Sequence, residues 1–143
     1  MSSSHCSYQI KKCVVIIVNY NSGQHLLAAL GGLANQSINP AEIVVVDNAS
    51  EDDSGLTAQK NFPEYTFHFL DSNTGFAAAN NYAISRLVGV DYVALLNPDA
   101  IPDENWLKNL LETAQALPEY GSFASRMLCN HDQSLLDGAG DVY

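Results

Sequence analysis

The chain has 143 residues, 47% of them hydrophobic and 15% charged, which is typical of one soluble domain with its own core. Sixteen acidic residues against six basic ones give a formal net charge of -10. This charge argues against a surface that follows nucleic-acid phosphates, so we expect no nucleic-acid partner.

The cysteines indicate a reducing compartment. Cys6, Cys13 and Cys129 are an odd number and lack C-x-x-C spacing, so they do not predict a disulfide framework. The first apolar stretch, CVVIIV, stops at Asn19, too early for a signal peptide or a membrane span. We therefore expect a cytoplasmic location.

Four strands are predicted in chain order. Residues 1–9 are polar and predicted to be flexible, and residues 10–143 are predicted to form one domain. The predicted strands are short and rich in β-branched or aromatic residues, and they cover Val14 to Val18, Ile43 to Val46, Tyr65 to Leu70 and Tyr92 to Leu96.

Helical spacing appears between and after these strands. The first helix is predicted around Leu26 to Leu33 with Ser22 as its N-cap, a short one follows Asp52, and a third runs from about Gly75 to Leu87. Pro102 and Asp103 are predicted to open a fourth helix, whose apolar stripe is Trp106, Leu107, Leu110, Leu111, Ala114 and Leu117. This alternation predicts an α/β fold with three α/β/α layers and a mostly parallel sheet.

A polar cluster follows each predicted strand. The clusters are Asn19-Tyr20-Asn21, Asp47-Asn48, Asp71-Ser72-Asn73 and Asn97-Pro98-Asp99. In a parallel sheet all four emerge at the carboxyl edge, where open α/β folds bind ligands. Each cluster alone is also explained by ordinary turn chemistry, but four together favour a small-molecule cleft.

The side chains predicted to line this cleft offer mainly carboxylate and amide oxygens as ligands. The chain has no P-loop, no dinucleotide fingerprint and no G-x-S-x-G, and its histidines lack metal spacing. Carboxylate and amide oxygens at a strand edge suit Mg²⁺ or Mn²⁺ bound jointly by the protein and the phosphates of a substrate.

Four segments resemble the family 2 glycosyltransferases, the GT-A nucleotide-sugar enzymes. They are VVIIVNYNS, EIVVVDNASEDDS, NTGFAAANN and YVALLNPDA, in the order and approximate spacing of that family. The resemblance implies a GT-A fold, a nucleotide-diphosphate sugar donor, a divalent cation, Mn²⁺ or Mg²⁺, and inversion at the anomeric carbon. The last segment is most similar to bacterial rhamnosyltransferase-like members, which favours a dTDP-rhamnose donor and leaves UDP- and GDP-linked sugars open.

The resemblance also implies site residues. Val18 and Tyr20 would border the nucleotide base, and Asp47 would accept the base's imide hydrogen. Asn73, Gly75 and Asn81 would contact the nucleotide, although glycine also suits a turn that opens a helix.

Asn97-Pro98-Asp99 stands where the family has its D-x-D motif. The resemblance implies that Asp99 binds the metal and that Asn97 meets the ribose or a metal-bound water. Asn97 replaces the first acidic residue of that motif, so one negative charge is missing and weak metal binding is expected. An ordinary Asn-Pro-Asp turn without a metal would explain the same residues.

The family's general base and acceptor elements follow in a second half. Asp137 and Asp141 are the late carboxylates of this chain, and the glycines around them predict a loop. We therefore expect an N-terminal donor-binding part whose GT-A domain is incomplete at the C-terminus, with the base beyond Tyr143. The exposed sheet of such a part predicts self-association.

The resemblance places the full-length protein on the cytoplasmic side, at the inner face of the membrane, with a saccharide or lipid-linked acceptor. Other readings stay open: a non-catalytic nucleotide-sugar-binding module, which Asn97 favours, and a nucleotidyltransferase, which NYNSGQH disfavours because it has no Lys or Arg. A two-carboxylate glycosidase is the weakest, since no carboxylate pair is fixed at a defined separation.

Overall fold

The structure, a computed structural model, describes residues 11–129 and 132–138. Four parallel strands form the main sheet: β1 (Cys13–Asn19), β2 (Glu42–Asp47), β3 (Thr66–Phe69) and β4 (Tyr92–Leu95). Their order across the sheet is β3-β2-β1-β4. The predicted parallel α/β fold is confirmed.

Four helices alternate with these strands. They are α1 (His25–Ala34), α2 (Ser54–Asn61), α3 (Phe76–Ile84) and α4 (Trp106–Ala116). A separate antiparallel hairpin follows, made of β5 (Met127–Cys129) and β6 (Asp132–Gly138). The predicted flexible segment 1–9 and Asp141 lie outside the described residues.

The two faces of the sheet are buried by different helices. Val15, Ile17 and Val45 pack against residues of α1, α2 and α4, including Leu30 and Leu107. On the opposite face, a second cluster packs against α3; its members are Val14, Ile16, Val18, Val44, Val46, Ala79 and Ala83. Because β1 and β2 are covered on both faces, their hydrophobic runs are uninterrupted, as the sequence predicted.

Three local predictions need correction. The N-cap of α1 is Gln24, and Ser22 contributes its backbone carbonyl, which accepts a hydrogen bond from the His25 amide at 3.1 Å. The fourth helix begins at Trp106, because the chain first makes a turn in which the Trp106 amide donates to the Asp103 carbonyl, and Pro102 lies before that turn. Asp137 lies within β6 and not in a loop.

Candidate functional site

The strand order reverses direction between β1 and β4. The chain moves outward from β1 through β2 to β3, and then crosses back to place β4 on the other side of β1. In open α/β sheets a crevice forms at such a reversal, outside the carboxyl ends of the two strands. The loops after β1 and β4 therefore flank the candidate site.

A buried polar cluster lies at the ends of β1 and β2. Asn19 and Asp47 are register partners, and Asn19 is fully buried. The Nδ2 group of Asn19 donates to Oδ2 of Asp47 at 2.6 Å and is also close to the hydroxyls of Ser54, at 2.8 Å, and Ser50, at 3.1 Å. The backbone amide of Ser50 donates to Oδ1 of Asp47 at 2.8 Å.

The loops after β1 and β2 are bound to each other. Asn21, which has a left-handed backbone (φ 51°), accepts hydrogen bonds from the amides of Glu51 and Asp52 on its Oδ1. In return Asp52 accepts from the Gly23 amide at 3.0 Å, and it also accepts from Ser54. The hydrogen bonds from Ser54, and then that from Gly23, lower the pKa of Asp52 below its ordinary value of 3.8.

The loop after β3 is attached through Asn48. The Nδ2 group of Asn48 donates to Oδ1 of Asn73 at 2.9 Å, and Oδ1 of Asn48 accepts from the Thr74 amide at 2.9 Å. Oδ1 of Asn73 also accepts from the amide of Gly75, the residue before α3. Three of the four strand-end loops thus form one hydrogen-bonded unit.

The loop after β4 differs from the other three. Its backbone closes a turn in which the Ala100 amide donates to the Asn97 carbonyl at 3.1 Å. Within residues 11–129 and 132–138, no hydrogen bond engages the side chain of Asn97 or Asp99, and both residues are exposed. Asp99 is therefore a carboxylate free to meet a ligand.

The electrostatics of this edge favour a cation. The strand-end segments 19–24, 47–53, 70–75 and 96–101 contain six acidic residues and no Lys or Arg. The part of the chain that the structure describes holds no group of three metal-binding side chains. Magnesium and manganese are commonly bound by one or two carboxylates plus substrate phosphates, so one exposed carboxylate fits a cation shared with a diphosphate.

Comparison with known proteins gives the family. The sequence model of "Glycosyl transferase family 2" matches residues 14–138, which is most of the chain. The chain belongs to glycosyl transferase family 2. The GT-A resemblance of its four strand-end motifs is thereby confirmed.

Curated relatives of this family 2 chain include two bacterial transferases. The chain is 30% identical over 103 residues to the O-antigen chain rhamnosyltransferase RfbN of Salmonella typhimurium, covering 70% of this chain and 32% of the relative. It is 31% identical over 107 residues to a cholesterol galactosyltransferase of Borreliella burgdorferi, covering 73% of this chain and 30% of the relative. The chain thus spans about a third of the relatives it matches.

Solved structures share the fold. S. aureus TarS 1-349 in complex with UDP-GlcNAc aligns with a TM-score of 0.69 at 24% identity, over 85% of this chain and 36% of TarS. The mannosyltransferase PcManGT from Pyrobaculum calidifontis, in complex with GDP-Man and Mn²⁺, aligns with a TM-score of 0.64 at 22% identity, over 86% of this chain and 37% of PcManGT. These likenesses confirm the GT-A type of sheet.

The sequence-predicted site residues fall into two groups in this family 2 domain. The exposed ones lie in strand-end loops or on α3; they are Tyr20, Asn73, Gly75, Asn81, Asn97 and Asp99. Val18 and Asp47 are buried, with 6% and 4% exposure. Gly75 has φ 86° and precedes α3, so the turn by itself requires a glycine.

Three buried side chains that join the loops were not among the predicted site residues. Asn19, Asn48 and Ser54 are buried polar residues with partners on other elements. The signal for Asn19 and Asn48 was a polar residue directly at or after a hydrophobic strand, but their pairing depends on strand register. Within the described residues, no helix is both long enough and apolar enough to cross a bilayer.

Proposed function

We propose that this family 2 domain binds a nucleotide-diphosphate sugar in the crevice between the loops after β1 and β4. The protein would transfer the sugar, with inversion, to a saccharide or lipid-linked acceptor. The observation that carries the proposal is the free, exposed Asp99 at the strand-order reversal, beside three loops that hydrogen bonds hold together.

The relatives support a nucleotide-sugar donor. TarS was solved with UDP-GlcNAc and with UDP, and PcManGT with GDP-Man. The similarity to RfbN supports rhamnose, for which dTDP is the expected carrier, whereas the galactosyltransferase relative shows that the sugar varies among similar chains. UDP, dTDP and GDP are therefore the probes to compare.

The exposed residues have distinct proposed roles. Tyr20, at 46% exposure, would offer an aromatic surface to the base, and Val18, near the carboxyl end of β1, would border it. Asn73, Gly75 and Asn81 would line the side of the nucleotide near α3. Asn97 would meet the ribose.

Asp99 would hold a divalent cation, Mn²⁺ or Mg²⁺, together with the donor diphosphate. Such a cation, when bound, neutralises charge on the departing diphosphate, an effect worth several kcal/mol. In the proposed displacement, the acceptor oxygen forms a bond to the anomeric carbon while the bond from that carbon to the phosphate oxygen breaks, and the proton of the acceptor hydroxyl passes to a general base, which the resemblance places beyond Tyr143. The part played by this chain is to hold the diphosphate in line for that attack.

One observation favours a second candidate, a non-catalytic nucleotide-sugar-binding module. Asn97 is an amide at the first position of the metal motif, so the loop after β4 carries one charge fewer than a D-x-D pair. A module of this kind would still bind the nucleotide, but its binding would depend little on metal.

The experiment is a calorimetric titration of the purified chain with UDP, dTDP and GDP, with and without Mn²⁺. The transferase proposal predicts that one nucleotide binds more tightly with Mn²⁺ and that Asp99→Ala removes this gain. The control Glu119→Ala, an exposed loss of one charge away from the strand ends, should keep it. Metal-independent binding would favour the module, and failure of all three nucleotides to bind would contradict the proposed function.

A further inference from the structure

We propose that Asp47 is a positioning residue, which holds Tyr20 in place for the nucleobase and does not itself touch the base. The inference deepens the proposed function and rests on it. It assigns Asp47 a role different from the direct acceptor of an imide hydrogen that the family resemblance implied.

Asp47 is covered by the first turn of α2. Its position in β2 puts its side chain on the face packed by α1 and α2, the face shared by Ile43 and Val45. A Cβ added to Gly55 would clash with Oδ2 of Asp47 and would lie 3.0 Å from the ring of Phe69. The backbone of α2 therefore lies directly over the carboxylate, and a base could reach it only if α2 moved.

Both carboxylate oxygens of Asp47 already bind the protein. Oδ2 accepts from Asn19, and Oδ1 accepts from the backbone amide of Ser50. With 4% of the residue exposed, these bonds are shielded from water, and burying a polar group is costly unless it is hydrogen-bonded in this way. The interactions of Asp47 are thus directed into the protein.

These bonds hold the residues immediately before and after Tyr20 in the sequence. Asn19, the residue before Tyr20, is held by Asp47 directly. Asn21, the residue after it, donates its amide to the Ser50 hydroxyl at 3.1 Å, and Asp47 fixes the backbone of Ser50. Tyr20 itself is 46% exposed, so the two neighbouring residues anchor an aromatic ring that faces solvent.

The test compares Asp47→Asn with the unchanged chain in titrations with UDP and with N3-methyl-UDP, which lacks the imide hydrogen. If the titrations with UDP, dTDP and GDP show that dTDP or GDP binds best, this pair is replaced by dTDP with N3-methyl-dTDP or by GDP with N1-methyl-GDP. Glu51→Gln is the matched control, because it removes one carboxylate charge from an exposed residue of the same loop. Thermal midpoints are measured for every variant, and affinities are measured well below them.

Asp47→Asn is expected to weaken the binding of both nucleotides by the same factor, about 10- to 100-fold, by analogy with the loss of residues that orient metal ligands. In a Tyr20→Ala background the further loss is expected to fall to about threefold or less, because the two residues act as one unit. Glu51→Gln is expected to change affinity by less than about twofold.

Three results would overturn the inference. A loss confined to UDP, with N3-methyl-UDP unaffected, would mean direct contact with the base. A lower thermal midpoint with unchanged affinity would mean that Asp47 only supports the fold. No binding of any nucleotide by the unchanged chain would contradict the proposed function, and the inference with it, and this outcome is recognised without any Asp47 variant.

Discussion

Gly32 in α1 packs directly against Pro102, in the segment that leads to α4. A Cβ on Gly32 would lie 2.7 Å from Cδ and 3.1 Å from Cγ of that proline ring. Real Cβ atoms do not approach other atoms so closely, so this contact requires a glycine. The contact ties the first crossover helix to the segment that follows the candidate metal loop.

Gly32→Ala is therefore expected to destabilise the protein by about 1–3 kcal/mol, the usual cost of overpacking. The neighbouring Gly31 is the matched control, since a Cβ there meets nothing within 4 Å. Gly31→Ala should stabilise by about 0.5–1 kcal/mol, because it removes a helical glycine without a clash. Urea unfolding of both variants measures the difference, and equal effects at the two positions would contradict the packing.

Gln36 provides a second connection between the same two elements. This 8% exposed side chain donates through Nε2 to the carbonyls of Gly32, at 3.1 Å, and Asp103, at 2.6 Å. Its Oε1 accepts from the Leu107 amide at 2.9 Å, in the first turn of α4. The glutamine thus satisfies backbone groups at a helix start that lacks a side-chain cap.

Gln36→Ala is expected to cost about 2 kcal/mol or more, because each buried backbone group left without a partner costs about 1–3 kcal/mol. Asn35→Ala removes an exposed amide whose bond to the Gly31 carbonyl is local, and should change stability by less than about 0.5 kcal/mol. The free energies of unfolding of the two variants are compared in urea. A loss from Asn35→Ala as large as that from Gln36→Ala would argue against the connection.

The fold could be predicted from sequence because its core strands have no polar interruptions. Val14 to Val18 and Ile43 to Val46 are each buried on both faces, so their composition alone indicated parallel strands. The β5–β6 hairpin was not predicted, because the side chains of Met127, Leu128 and Leu135 are exposed and give no periodic signal.

The candidate site was predicted as a location and only partly as an arrangement. The polar clusters after the strands pointed to the carboxyl edge, where the side chain of Asp99 is exposed, and its role as a metal ligand stays a prediction. The partnership of Asn19 with Asp47 joins residues 28 positions apart in the sequence. Such a pair depends on the register of two strands and on the cover that α2 provides, neither of which local patterns contain.

Cys13 is expected to resist alkylation while the protein is folded. It is 3% exposed, and burial raises its pKa from 9.0 to about 11, with an opposing contribution from a hydrogen bond that the Ala94 backbone donates to the sulfur. At about pH 8 little reactive thiolate is therefore present in the folded state. Cys129 is partly exposed, so iodoacetamide should modify it much faster, as measured by peptide mass mapping.

The same pKa shift predicts how stability changes at high pH. The folded state holds the Cys13 proton more tightly than the unfolded state does, so this contribution is complete below pH 9.0 and is lost as the pH rises through about 11. Cys13→Ser should flatten this part of the stability curve. In the alkylation experiment, rapid modification of Cys13 in the folded protein would contradict its burial.

We expect self-association at β4, the strand at one edge of the main sheet. Val93 and Leu95 are 38% and 48% exposed, although they share a face with the buried Val14 and Ile16 of β1. In the part of the chain that the structure describes, β4 pairs with β1 alone, and no Lys or Pro lies within it. Such an unprotected apolar edge strand is suited to pairing with another strand.

Sedimentation equilibrium should show a molecular mass that rises with protein concentration. Because each chain carries a net charge of -10, repulsion opposes association, and added salt should strengthen it by screening. The double variant Val93→Lys, Leu95→Lys should remain monomeric. Val88→Lys places the same charge on a 91% exposed valine outside the strand and should associate as the unchanged chain does. A monomer at every concentration and salt level would show that this strand edge does not drive association.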